Sequence, residues 1–216
     1  MSFRKIRVFT NPTMLGSALL LGLNSSAIAA PQLEEVIVTA QKRSENLQDV
    51  PVAVSAITAD QLDDIGFNDI ADIAAQVPSL IVLTNISPLS ATFRIRNIGN
   101  AGNIPTFEPA TGLFIDGAFR SRSGMGIGDL ADVQSVEVLK GPQSTLHGKN
   151  VTAGVISVTT KAPSDTLEGM VEASLGDDQL QQLKTSISGP LTDWLSGRVS
   201  WVETHRDAWI NNTIGA

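Results

Sequence analysis

Two hydrophobic periods divide the chain. Ile70, Ile73, Ala74 and Val77 fall at i, i+3, i+4 and i+7, one face of a 3.6-residue helix. Ahead of them Thr58-Ala59-Asp60-Gln61 has the spacing of a capping box, which predicts a first short helix running through Asp64 and ended near Gly66. Asn68 is the expected cap of the second helix, with Asp69 and Asp72 near its positive end and Pro78 as its stop. The spacing of these acids does not match a calcium-loop pattern, and carboxylates at helix starts account for them.

On either side of this helical stretch the pattern is that of strands. Val52 to Ile57 precedes it, and beyond it Phe93 and Ile95 alternate with Arg94 and Arg96. Leu113-Phe114-Ile115 and Ala118-Phe119-Arg120 flank Asp116-Gly117, a strong hairpin signal. Val136 and Val138 alternate with Ser135 and Glu137 until Gly141-Pro142, and Val155 to Thr160 forms one more strand. Two Gly/Asn-rich stretches, 97–112 and 121–128, are so poor in apolar residues that they read as surface loops, where ligand contacts concentrate. Arg120, at the entry to the second, and Arg122 within it offer forked donors for carboxylate or catecholate-type acceptors.

The last third alternates over longer runs. Leu167, Val171, Ala173 and Leu175 are set against Glu168, Glu172 and Ser174; Leu183 and Ile187 against Gln182, Lys184, Ser186 and Ser188; Leu195, Val199 and Trp201 against Ser196, Arg198 and Ser200. Three successive antiparallel strands are expected, and the three tryptophans, Trp194, Trp201 and Trp209, all fall here. The pattern fits the wall of a transmembrane barrel and a soluble meander with one wet face equally well.

The N-terminal segment reads as an address. Positions 1–29 carry Arg4, Lys5 and Arg7, no acid, an apolar stretch from Met14 to Leu23, and a small-residue run ending in Ala27-Ile28-Ala29, the order of a secretory signal peptide. Ten apolar residues rise only about 15 Å as a helix, roughly half a bilayer core. After Pro31, Glu35-Val36-Ile37-Val38-Thr39 is a β-branched run between acids and the polar Gln41-Lys42-Arg43. With no evident hairpin partner it is expected either to dock on its own domain's sheet or to be offered to another chain by strand addition.

Composition narrows the chemistry. The 216 residues hold no cysteine and two histidines, His147 and His205, so thiolate metal sites and cysteine nucleophiles are excluded and imidazole clusters are not expected. A net charge of −7 with no Lys/Arg run argues against nucleic acid as a partner. Ser144 lies near His147 but lacks a Gly-x-Ser-x-Gly turn, so a hydrolase is not expected. No catalytic residue, metal site or cofactor is expected.

Taken in order, these pieces resemble the TonB-dependent outer-membrane receptors. Glu34 to Arg43 resembles the TonB box and its linker, and Val50-Pro51-Val52-Ala53-Val54-Ser55-Ala56-Ile57 the start of the plug. Phe93-Arg94-Ile95-Arg96-Asn97-Ile98-Gly99 is similar to the family's Ile-Arg-Gly-Ile-Gly motif, with Asn97 in place of a glycine. The fullest match runs from Asp132 through Val136-Glu137-Val138-Leu139-Lys140-Gly141-Pro142 to Asn150, with Lys140 and Lys149 for arginines and His147 for an aromatic.

The resemblance implies an α+β plug with a small mixed four-stranded sheet and short helices, followed by the first three antiparallel strands of a transmembrane β-barrel. The organisation is then 1–29 signal peptide, 30–49 TonB box and linker, 50–161 plug and 162–216 barrel start. It implies contact with TonB's periplasmic domain through residues 34–40, with Glu35, Val36, Ile37, Val38 and Thr39 as the added strand. It also implies outer-membrane location and proton-gradient-powered import of a scarce solute such as a ferric siderophore. Arg94, Arg96, Arg120, Arg122 and Lys140 are the candidate ligand or barrel contacts. Lysine at 140 is a point charge and cannot make arginine's bidentate contact. A barrel of about 22 strands, at about 9–11 residues each, needs far more chain than follows residue 160, so a fragment or a truncated product is expected. The alternative is a free-standing periplasmic plug-type module that engages TonB.

Overall fold

The computed structural model describes residues 4–9, 36–39, 42–43, 45–84, 91–99, 108–126, 128 and 130–207. Along the chain these form β1 (Arg4–Phe9), β2 (Ile37–Val38), β3 (Glu45–Asn46), β4 (Val54–Thr58), α1 (Ala59–Ile65), α2 (Ile70–Gln76), β5 (Leu80–Leu83) and β6 (Thr92–Ile95). They continue with β7 (Thr111–Ile115), β8 (Ala118–Arg120), a 3-10 turn at Ser123–Gly126, β9 (Val133–Lys140), α3 (Ser144–His147) and β10 (Gly154–Thr160). Three longer strands follow, β11 (Glu168–Leu175), β12 (Gln181–Thr192) and β13 (Leu195–His205).

Local chemistry sets the helix ends. Gln61 Oε1 accepts from the Thr58 N–H at 3.1 Å, closing the expected capping box, and Gly66 ends α1 in the left-handed conformation at φ 68°. The cap of α2 is Asp69 rather than Asn68: its carboxylate accepts from the Ala71 N–H at 2.6 Å, while Asp72 accepts from the N–H groups of Asn68 and Asp69. A carboxylate there also opposes the helix dipole, which an amide cannot. The Asn68 amide instead donates to the Gly66 carbonyl at 3.1 Å and closes the turn between the helices.

The plug sheet is mixed, in the order β4-β9-β10-β7-β8, with β10 parallel to β7 and the other pairs antiparallel. It has five strands where four were expected, because the Asp116-Gly117 turn creates β8 at the edge. Both turn residues have positive φ, 50° and 74°, as a two-residue hairpin whose twist matches its strands requires. A separate hairpin, β5–β6, ends in Arg96 and Asn97 at φ 53° and 65°. Asparagine tolerates that conformation better than most residues, which explains how Asn97 fills a glycine position.

Alternation along the strands gives the sheet two covered faces. Ile57, Val136, Val138, Ile156 and Val158 turn one face to Leu62 of α1 and to Ile70 and Ile73 of α2. Leu139, Val155 and Phe114 form a smaller cluster with Val151 on the other. At about 1.5–3 kcal/mol for each large apolar side chain removed from water, the first face is the main source of plug stability.

Residues 121–128 were expected to be a surface loop; Ser121, Arg122, Met125 and Gly128 are exposed, and the structure corrects the reading only within the 3-10 turn. Ser123, Gly124 and Gly126 are buried, and a Cβ on Gly126 would stand 3.0 Å from both Ile70 and Leu113. At these three positions low hydrophobicity reflects close backbone approach to the core, not exposure.

The last three strands pair consecutively, β11-β12-β13, and β1 lies on the free edge of β11, from Arg4 opposite Leu175 to Phe9 opposite Met170. That edge is the one a closing barrel strand would take, and an unpaired edge attracts whatever strand can reach it. The sheet is inverted relative to a soluble meander. Glu172, Ser174, Gln182, Ser186 and Ser188 are buried against the plug, whereas Leu167, Val171, Leu175, Ile187, Val199 and Trp201 are exposed, by 51–72%. Polar side chains inward and apolar ones outward is the arrangement of a barrel wall. No helix among the described residues is long and apolar enough to cross a membrane.

Candidate functional site

The expected partner-binding strand is not isolated. Glu35 lies outside the described residues; Val36, Ile37, Val38 and Thr39 do not, and Ile37 and Val38 pair with Asn46 and Glu45. The Leu47 N–H donates to the Val36 carbonyl at 2.9 Å. A two-residue ladder is too short to leave a hairpin signal in sequence. Ile37 faces solvent at 58% exposure, whereas Val38 is buried at 2%. Thr39 reaches the plug sheet, its N–H at 2.8 Å and its hydroxyl at 3.2 Å from Oε1 of Glu137. The run therefore docks on its own domain, one of the two arrangements its composition left open.

The five candidate cations separate. Arg94 lies on β6 and Arg120 at the end of β8, both half-buried, and each carries a buried Nε–H with no acceptor among the described residues. Such a donor is costly unless another group meets it. Arg96 and Arg122 are exposed on turns. Lys140 sits at the end of β9 and donates to the Ser55 hydroxyl at 2.7 Å, a contact within the plug. The loop 97–112 is described only in part, so its position relative to 120–128 lies outside the described residues.

Sequence reasoning missed the group that joins plug to wall. Asp132, in the left-handed conformation at φ 54° just before β9, has a side chain only 5% exposed. Its carboxylate accepts from Nε of Arg198, from Nη2 of Arg198 at 2.8 Å and from the Ser200 hydroxyl at 2.7 Å. Lys161 adds a cation at 3.7 Å. Burial alone would raise this carboxyl's pKa, but the hydrogen bonds from Arg198 and Ser200 and the charges of Arg198 and Lys161 outweigh it and hold the group below its ordinary value. Arg198 and Ser200 share the polar face of β13, and on β12 Lys184 donates to the Phe67 carbonyl of the plug at 2.9 Å. The inward polar residues of the wall thus grip the plug through charge-assisted bonds. The signal was the alternation of Arg198 and Ser200 with Val199 and Trp201, but nothing local points to Asp132, 66 residues away.

Comparison with known proteins agrees with this geometry. Residues 46–155 match the model of the TonB-dependent receptor plug domain. The chain is 30% identical over 185 residues to the pesticin receptor of Yersinia pestis, covering 85% of this chain and 27% of that protein. It is 28% identical over 227 residues to an iron-regulated outer membrane virulence protein of Vibrio cholerae, covering 91% and 32%. Among solved structures it superposes on the ferric yersiniabactin uptake receptor of Yersinia pestis with a TM-score of 0.65 at 32% identity, covering 70% of this chain and 24% of that one. The ferripyoverdine receptor of Pseudomonas aeruginosa shares the fold at a TM-score of 0.66 and 22% identity, over 78% and 22%. The chain therefore spans about a fifth to a third of the length of the curated relatives it matches. The family's pattern over residues 46–155, which takes in α1, α2, α3 and strands β4 to β9 and enters β10, places the chain in the TonB-dependent receptor plug domain family.

Proposed function

We propose that the chain is the N-terminal part of an outer-membrane receptor that imports a ferric siderophore using energy delivered by TonB. One observation carries the reading: the wall strands turn Leu, Val, Ile and Trp outward while Arg198, Ser200 and Lys184 bind the plug. The names of the relatives support iron as the cargo, since they include receptors for ferric yersiniabactin and ferripyoverdine. Residues 1–29 act as an export signal, and their removal frees the β11 edge now covered by β1. Arg94 and Arg120, with their buried donors, supply cations for the ligand or for carboxylates of further barrel strands. The role is transport rather than catalysis. A free-standing periplasmic module is disfavoured, because it would hold a wide apolar face in water.

Uptake tests this reading. Cells with and without the protein are compared for accumulation of iron-loaded siderophores, labelled cobalamin and a glycan panel. Loss confined to one or more ferric siderophores is the expected result, and equal accumulation of all of them in the two strains contradicts it.

The TonB contact is tested at Ile37. Strand addition draws its affinity from main-chain hydrogen bonds, and proline removes a donor and fixes φ. Ile37→Pro is expected to weaken binding of TonB's periplasmic domain about tenfold or more relative to Ile37→Ala, the order of one or two lost hydrogen bonds. Titration with equal affinity for the two variants would remove the strand-addition mode.

A further inference from the structure

We infer that the Glu137 carboxylate is a latch that holds Val36–Thr39 against the plug and sets how readily that segment is released to a strand-adding partner. The inference rests on the reading of residues 34–40 as the ligand of TonB, and it adds the residue that governs their release.

Glu137 sits in the middle of β9, opposite Ala56 of β4 and Ser157 of β10, and is 1% exposed. It shares a sheet face with Leu139, away from the helices. A carboxylate among apolar strands is tolerated where hydrogen bonds meet its charge. Thr39 supplies two of them, from its N–H at 2.8 Å and its hydroxyl at 3.2 Å, across 98 residues of sequence. Among the described residues the other restraints on the segment are two residue pairs with β3, the bond from Leu47 to Val36, a turn bond from the Lys42 N–H to the Thr39 carbonyl, and the burial of Val38. A two-stranded ribbon of that length does not hold itself together in water. Beside the burial of Val38, the Glu137 bonds are the polar tie between the segment and the plug sheet.

Two consequences follow from this placement. The Thr39 main-chain donor, which strand addition would use, is already occupied, so a partner must displace the carboxylate. Because Glu137 belongs to the central region of the sheet, any shift of β9 alters the hold on Thr39, and tension on the segment is delivered to β9. Coupling of this kind is reciprocal.

The absence of cysteine in the chain makes the test direct. Val38→Cys places one thiol at a position 2% exposed, and Ala153→Cys places one at an equally buried position in the plug. Maleimide modification is followed on the full chain. Glu137→Ala is expected to speed modification at 38 by about tenfold or more, the scale of lost hydrogen bonds to a charged group, while 153 stays protected. Glu137→Gln, which keeps an acceptor oxygen, is expected to restore most of the protection at 38. No acceleration at 38 in Glu137→Ala with 153 protected would overturn the latch. If Glu137→Ala also exposes 153, Thr39→Val decides: it removes only the hydroxyl donor, and faster modification at 38 with 153 protected supports the latch, whereas an unchanged rate overturns it. Binding of TonB's periplasmic domain to a peptide of residues 34–43 is measured separately. Failure there removes the TonB reading and leaves the thiol result standing.

Discussion

Gly154→Ala is expected to destabilise the plug by about 3–5 kcal/mol, a large share of the 5–15 kcal/mol typical of a domain. Gly154 opens β10 at φ 150°, a conformation that residues with a Cβ rarely adopt, and the Cβ would lie 2.2 Å from the Leu139 carbonyl oxygen and 2.7 Å from Ile95. Backbone strain of about 1–3 kcal/mol adds to overpacking of similar size or more. The carbonyl belongs to a strand hydrogen-bonded on both sides, so it cannot move aside alone. Gly117→Ala separates the two terms: it also has positive φ, 74°, but meets nothing within 4 Å, and about 1 kcal/mol is expected. Urea unfolding of both variants checks the contrast. Equal midpoints for the two would mean that the close approach at Leu139 has no energetic weight.

Removing the Asp132 carboxylate is the second large effect. With Asp132 at 5% and Arg198 at 15% side-chain exposure, losing one partner strands a charge, at about 3–5 kcal/mol. Asp132→Asn keeps the size and tolerates the positive φ, so its cost reports the charge. Arg198→Met is expected to cost a similar amount, and the double variant clearly less than the sum. Additive losses would show that the pair does not couple plug to wall. The pH dependence has a definite sign. Because the folded-state pKa of Asp132 is lowered, its contribution is complete above the unfolded carboxyl value of about 3.9 and is lost as pH falls through the folded value. Acid should therefore loosen wild type over that range, and Arg198→Met should lose much less stability across it.

What was legible in the sequence was local. The Thr58–Gln61 box, the Asp116-Gly117 hairpin and the strand periods are each fixed by residues within a few positions of one another, and the structure forms them as read. What was not legible depended on partners far along the chain. Ser123–Gly126 looked like a surface loop because glycine leaves no hydrophobic signal when it lets backbones meet. The β2–β3 ladder was too short to leave a pattern. The wall strands showed their alternation but not its direction, since a period of two is the same whichever face is covered. Burial of Glu172, Ser174 and Ser188 beside exposure of Val171, Ile187 and Val199 supplies that direction. The candidate cations illustrate the same limit: residue type suggested a role for Lys140, yet its nearest need is Ser55 of the neighbouring strand.

Site-directed spin labelling of β11, β12 and β13 tests the inverted face most directly. Single cysteines placed along these strands in the protein reconstituted in lipid bilayers are labelled with a nitroxide and read for collision with oxygen, which partitions into lipid, and with a water-soluble nickel chelate. A period of two is expected: high oxygen and low nickel accessibility at 171, 187, 199 and 201, and low accessibility to both at 172, 174, 186, 188 and 200, where the plug packs. The opposite phase, with 171, 187 and 199 shielded inside protein and 172, 174 and 186 open to the chelate, would contradict it.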